Sequence, residues 1–139
     1  MSLIEYIIRV ENTHRKKVLL EREENELVSP IIRDYSQMSE VYGIFSDELA
    51  RREDNHTLSS IENRRIFILI AMRLFCPSVF VGRKLKHGIR DQMATILGCE
   101  ASVISHDFKN LTFHYKKYRR FRETVDAIYE SIMETLSEN

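Results

Sequence analysis

Along most of the chain, apolar positions recur at three- and four-residue steps, the spacing that lines side chains up on one face of an α-helix. Ile31, Tyr35, Met38, Tyr42, Phe45 and Leu49 follow one another at four, three, four, three and four residues. Ser29 and Pro30 precede them as an N-cap and first-turn pair, so the pattern predicts a helix from there into the polar linker 51–56, with Gly43 as its weak point. Ser59, with Glu62 three residues on, reads as a capping box opening a further helix, which ends near Phe75 because Pro77 cannot continue it. Residues 66–75 are apolar nearly all round apart from Arg73, the mark of a buried central helix. A loop over 76–85 follows, then two short helices separated by Gly98. A last stripe of Tyr118, Phe121, Val125, Ile128 and Ile132, joined by Tyr129 or Leu136, predicts one helix over 114–136. Its basic residues come first and its acidic ones last, an order that opposes the helix macrodipole at both ends. The start of the chain is ambiguous. Residues 3, 4, 7, 8 and 18–20 fit a helix interrupted by the polar stretch 11–17, while Ile4, Tyr6, Ile8 and Val10 alternate as a strand does.

These elements predict an all-α protein, a bundle of five to six helices, divided into an acidic N-terminal helical region (1–56) and a second unit (57–139) closed by a long C-terminal helix. With 139 residues, 43% of them hydrophobic and only four glycines and two prolines, the chain can build a core that offsets the ordering entropy. Cys76 and Cys99 do not form a disulfide framework or a CxxC pair, which suits a reducing compartment. The longest apolar run, 66–72, is far too short to span a bilayer and no charged-then-apolar leader opens the chain, so the expected location is cytoplasmic, with no membrane partner.

The formal net charge of zero conceals a segregation. Residues 64–122 hold 13 Lys/Arg against three acids (Asp91, Glu100 and Asp107), a net of +10, while the remainder holds 8 against 18, a net of −10. The basic part suits a polyanion that the acidic part would repel; alternatively, the two parts attract each other within the fold.

Inside the basic part lies QMATILGCEASVISHDF, residues 92–108. A helix-turn-helix needs a small residue midway along its first helix, a glycine where the turn goes left-handed, and a branched apolar residue plugging the second helix into the first. Ala94, Gly98 and Ile104 fill these roles at spacings of four and six, with Met93, Leu97 and Phe108 as flanking core positions. The spacing resembles the helix-turn-helix of Cro-type phage repressors. The wider layout, a long buried helix RRIFILIAMRL leading through a basic loop into this motif, is similar to the C-terminal DNA-binding domain of the DnaA initiator and the Trp-repressor class. That resemblance implies that the loop reaches DNA beside the recognition helix. It carries no sequence specificity over, because Glu100-Ala101-Ser102-Val103-Ile104 stands where the DnaA family has its acidic-His-Thr-Thr-Val signature. Residues 82–84 lack Walker A spacing, so an ATP-driven initiator is excluded.

With 101–111 as recognition helix, the expected base-facing residues are Glu100, Ala101, Ser102, Ser105, His106 and Lys109. The expected phosphate-facing residues are Arg83, Lys84, Lys86 and Arg90 before the second helix, and Lys116, Lys117, Arg119, Arg120 and Arg122 after it. Tyr115 and Tyr118, interleaved with the last cluster, could add phosphate hydrogen bonds. The five histidines (14, 56, 87, 106 and 114) form no i, i+4 pair and neither cysteine has zinc-finger spacing, so neither metal nor other cofactor is expected. No nucleophile sits in a strained turn or glycine-rich loop, so no enzyme activity is expected. The sequence therefore reads as a binder of double-stranded DNA, a transcription regulator or an accessory protein of a phage or mobile element. The rival is a helical protein-protein adaptor, and a sigma-like or RNA-binding module is a third class. The stripes over 31–49 and 118–136 serve the packing of a monomeric bundle or, alternatively, a homodimer.

Overall fold

In a computed structural model, residues 1–52 and 60–138 are described. Among them the chain forms six α-helices and no strand: α1 (Leu3–Leu27), α2 (Met38–Arg51), α3 (Ser60–Phe75), α4 (His87–Leu97), α5 (Ala101–Lys117) and α6 (Arg119–Ser137). The all-α expectation of five to six helices therefore holds. Short 3-10 turns at Tyr35–Gln37 and Pro77–Val81 precede α2 and follow α3.

α3 is the axis of the fold. Ile66 to Met72, Leu74 and Phe75 are buried while Arg73 reaches solvent, as its nearly all-round apolar composition predicts. Around it, α2 brings Met38, Val41 and Phe45, α4 brings Ile89, Met93 and Ala94, α5 brings Ile104 and Leu111, and α6 brings Val125, Ile128 and Ile132. Each large side chain so buried contributes about 1.5–3 kcal/mol by leaving water. The rings of Tyr42, Phe45 and Phe67 meet at centroid separations of 5.0–5.9 Å and knit α2 to α3. Glu48 of α2, buried, accepts from Arg51, Arg52 and the hydroxyl of Ser131, tying the end of α2 to α6. The core is thus continuous from α2 to α6, and α1 stands outside it with no buried residue.

Three readings of local structure are corrected. The helix expected from Ser29-Pro30 begins only at Met38. The Ile32 N–H donates to the Leu74 carbonyl at 2.9 Å, which holds this segment non-helical across the end of α3. Asp34 then caps the 3-10 turn by accepting from the amide and hydroxyl of Ser36, contacts that hold its carboxyl below the usual range. Secondly, the opening segment is neither strand nor interrupted: α1 runs 25 residues, because Arg, Lys and Glu propagate a helix and no Gly or Pro stops it. Thirdly, 114–136 is not one helix. α5 continues to Lys117, and Tyr118 (φ −100°, ψ 104°) separates it from α6. The expected linker extends past α2 at 53–56, and the expected Ser59 cap lies beyond it; both fall outside the described residues.

Candidate nucleic-acid interface

The site is built around the turn between α4 and α5. Gly98 adopts φ +67°, and its left-handed backbone lets its own N–H reach the Thr95 carbonyl and that of Cys99 reach Ala94 at 3.0 Å. This closes α4 with the paired bonds of a Schellman motif. Glu100 then turns extended and its carbonyl accepts from Val103, so α5 starts with three residues between it and the end of α4. Ala94 and Ile104 are both buried, and α4 packs on α5.

The outward side of α5 is polar. Ser102, Ser105, His106 and Lys109 are exposed along one side of the helix, with Ala101 half-buried at its start and Glu100 exposed just before it. Asn110 is exposed too, and Phe113, 64% exposed, continues the line at the four-three-four spacing 102, 106, 109, 113. The sequence reading missed Phe113 because it ended this helix at 111, and left out Asn110 although that residue lies inside the expected helix, one turn on from His106.

Between 101 and 122 the chain has one acidic residue, Asp107. Its side chain is only 3% exposed and points inward, where Oδ2 accepts from Arg64 Nε at 2.6 Å and Oδ1 lies 3.8 Å from Arg65. Residues 101–122 themselves therefore contribute no exposed carboxylate. Two arginines of α3 also lie against α5 and help fix its position.

The basic side chains fall into two groups. Lys84 and Lys86 are exposed on the segment before α4, which the Phe80 ring, 5.9 Å from that of Phe108, holds beside α5. Arg83 is engaged differently: its guanidinium donates to Asn25 at 3.0 Å and to Glu24 at 3.4 Å, docking the segment onto the end of α1. Arg90 is half-buried and faces His87 across 3.3 Å. The second group closes α5 and opens α6. Lys116 and Lys117 sit in the last turn of α5, where their charge favours the helix dipole. The break at Tyr118 thus removes the conflict read into this stretch for Lys116 and Lys117, and leaves it for Arg119, Arg120 and Arg122 in α6. Lys117 lies over the rings of Phe113 and Tyr118, Arg119 pairs with Glu123, and Arg122 donates to the Lys116 carbonyl at 2.9 Å.

Tyr115 is turned away from this surface. Its hydroxyl donates to Asp126 at 2.5 Å, joining α5 to α6, and burial together with that bond pushes the phenol up to about 12. Of the two tyrosines expected beside phosphates, Tyr118 is the exposed one. No group of His, Cys, Asp and Glu suited to hold a metal ion occurs among the described residues, and no helix among them is long and apolar enough to cross a membrane. Compared with protein-family models, curated proteins and solved structures, the chain gives no match.

Proposed function

We propose that the chain binds double-stranded DNA, with α4 and α5 acting as a helix-turn-helix and α5 entering the major groove. One observation carries the reading: α5 itself exposes no acid along its length, because Asp107, the only carboxylate between 101 and 122, is turned inward onto Arg64. In a fold with no such use, a solvent face of this length would mix both signs. Ser102, Ser105, His106, Lys109 and Asn110 supply the short hydroxyl, amide and ammonium groups that read base edges, lysine to guanine and asparagine to adenine among them. Lys84 and Lys86 on one side and Lys116, Lys117 and Arg120 on the other supply phosphate contacts, which set register and most of the affinity. The protein would act as a transcription regulator or an accessory protein working on DNA.

The test is an anisotropy titration of the full chain against a random-sequence duplex. Lys116→Glu/Lys117→Glu should lose most of the affinity seen at low salt, and Lys109→Ala should weaken binding without unfolding the protein. Equal binding by all three proteins would refute this surface. A second reading, a helical adaptor, is favoured by the ion pair between Arg83 of the basic block and Glu24 of the acidic one. Under it, the same titration shows no DNA binding at low salt.

A further inference from the structure

α1 is a 25-residue helix without a single buried residue, although Leu3, Ile4, Ile7, Ile8, Val10, Val18 and Leu19 are between 39 and 74% exposed. These seven share one side of the helix, since positions eleven apart, such as 7 and 18 or 8 and 19, return after three turns. The helix is well made: Ser2 and Glu5 close a capping box at its start, and Asn25 and Glu24 fasten its other end to Arg83. A helix so long draws stability chiefly from burying a face, and a contiguous apolar face left in water marks an interaction site.

The charges indicate what covers it. Glu21, Glu23, Glu24 and Glu26 crowd one end of α1 around Arg22, while Arg9 lies nearer the other end and Arg15, Lys16 and Lys17 sit at the middle. An anionic lipid surface would be repelled by that acidic end, and the helix holds six acids against five bases, the reverse of a membrane-surface helix. Two copies side by side in parallel would set the glutamate clusters against each other. Antiparallel, the clusters go to opposite ends. Between Leu3 and Leu19 the apolar side also contains two charged residues, Glu11 and Arg15, one turn apart; past Leu19 the same side turns polar with Glu21, Arg22 and Glu26. In one antiparallel register Ile7 faces the second copy's Leu19, Ile8 faces its Val18 and Glu11 faces its Arg15, each contact occurring twice by symmetry. That self-complementarity is what a two-fold interface requires.

We propose that α1 pairs antiparallel with α1 of a second copy of this chain, burying Ile7, Ile8, Val18 and Leu19 around two symmetric Glu11–Arg15 bridges. The pairing does not depend on the DNA-binding reading. Sedimentation equilibrium of the full chain across the micromolar range should give twice the chain mass of 16.5 kDa. Ile7→Glu/Ile8→Glu should sediment as a monomer while the heat-induced loss of core packing, followed by near-ultraviolet circular dichroism, is unchanged, because α1 adds nothing to that core. Glu11→Arg should weaken the dimer about tenfold or more, and Glu11→Arg/Arg15→Glu should restore it. A wild-type monomer throughout would overturn the proposal, as would one that instead binds phosphatidylcholine vesicles through Ile7 and Ile8. So would a dimer indifferent to the glutamates at 7 and 8, or a charge exchange that fails to restore association.

Discussion

Asp107 shows how one side chain changes the meaning of a charge count. In the sequence it is an acid in a basic stretch; in the fold it is a buried partner of Arg64, and the surface above it is left cationic. Asp107→Ala should destabilise the protein by about 2–4 kcal/mol, since Arg64, itself 27% exposed, loses its partner but can turn partly to water. Urea unfolding measures this, and Asp107→Asn, which keeps an acceptor, should cost less. Nothing in the sequence distinguished this inward carboxylate from a surface one, because its depth depends on α3 lying behind α5. Tyr115 makes the same point: it was legible as an aromatic among cations, while its hydrogen bond to Asp126 needed the path of α6. Its phenol is pushed up to about 12 by burial and by Asp126. The protonated form is therefore the one the fold favours, so the contribution is complete below the ordinary tyrosine value of about 10 and is lost as pH rises through the folded value. Ultraviolet titration should show a tyrosinate fraction forming near 12 that is absent in Tyr115→Phe and moves to lower pH in Asp126→Ala.

The helices that bear core stripes were readable from spacing, and their ends were not always so. α3 was legible because its apolar run is bounded by Pro77, and the close of α4 because Gly98 has no Cβ to resist φ +67°. Gly98→Ala should cost about 1–2 kcal/mol, all of it from the left-handed backbone, since an added Cβ meets nothing within 4 Å. Thermal unfolding checks this, and an unchanged midpoint would mean that the turn relaxes. The division of α5 from α6 had no such marker, for residues 99–139 contain neither Gly nor Pro. It is made by side chains from both sides of the break. The His114 ring lies 4.5 Å from that of Tyr118 and 4.7 Å from that of Phe121, and Arg122 satisfies the Lys116 carbonyl. The same shortfall hid Phe113 from the site.

Across the whole molecule, helices α2 to α6 share one core around α3, and α1 projects from it with its apolar side uncovered. The charge segregation visible in the sequence is bridged where Arg83 meets Glu24, so the acidic end of α1 lies beside the basic segment that precedes α4. The cations assigned to phosphates are Lys84 and Lys86 on one side of α5 and Lys116, Lys117 and Arg120 on the other, five in all. Binding to DNA through them has a thermodynamic signature that a protein-protein adaptor lacks, because each neutralised phosphate releases counterions. The decisive measurement is the affinity for a random-sequence duplex as salt is raised from about 50 to about 200 mM. The account predicts a log–log slope of about −4.5, equivalent to a loss of about five-hundredfold over that range. A slope near zero, or no binding at the lower salt, would contradict it.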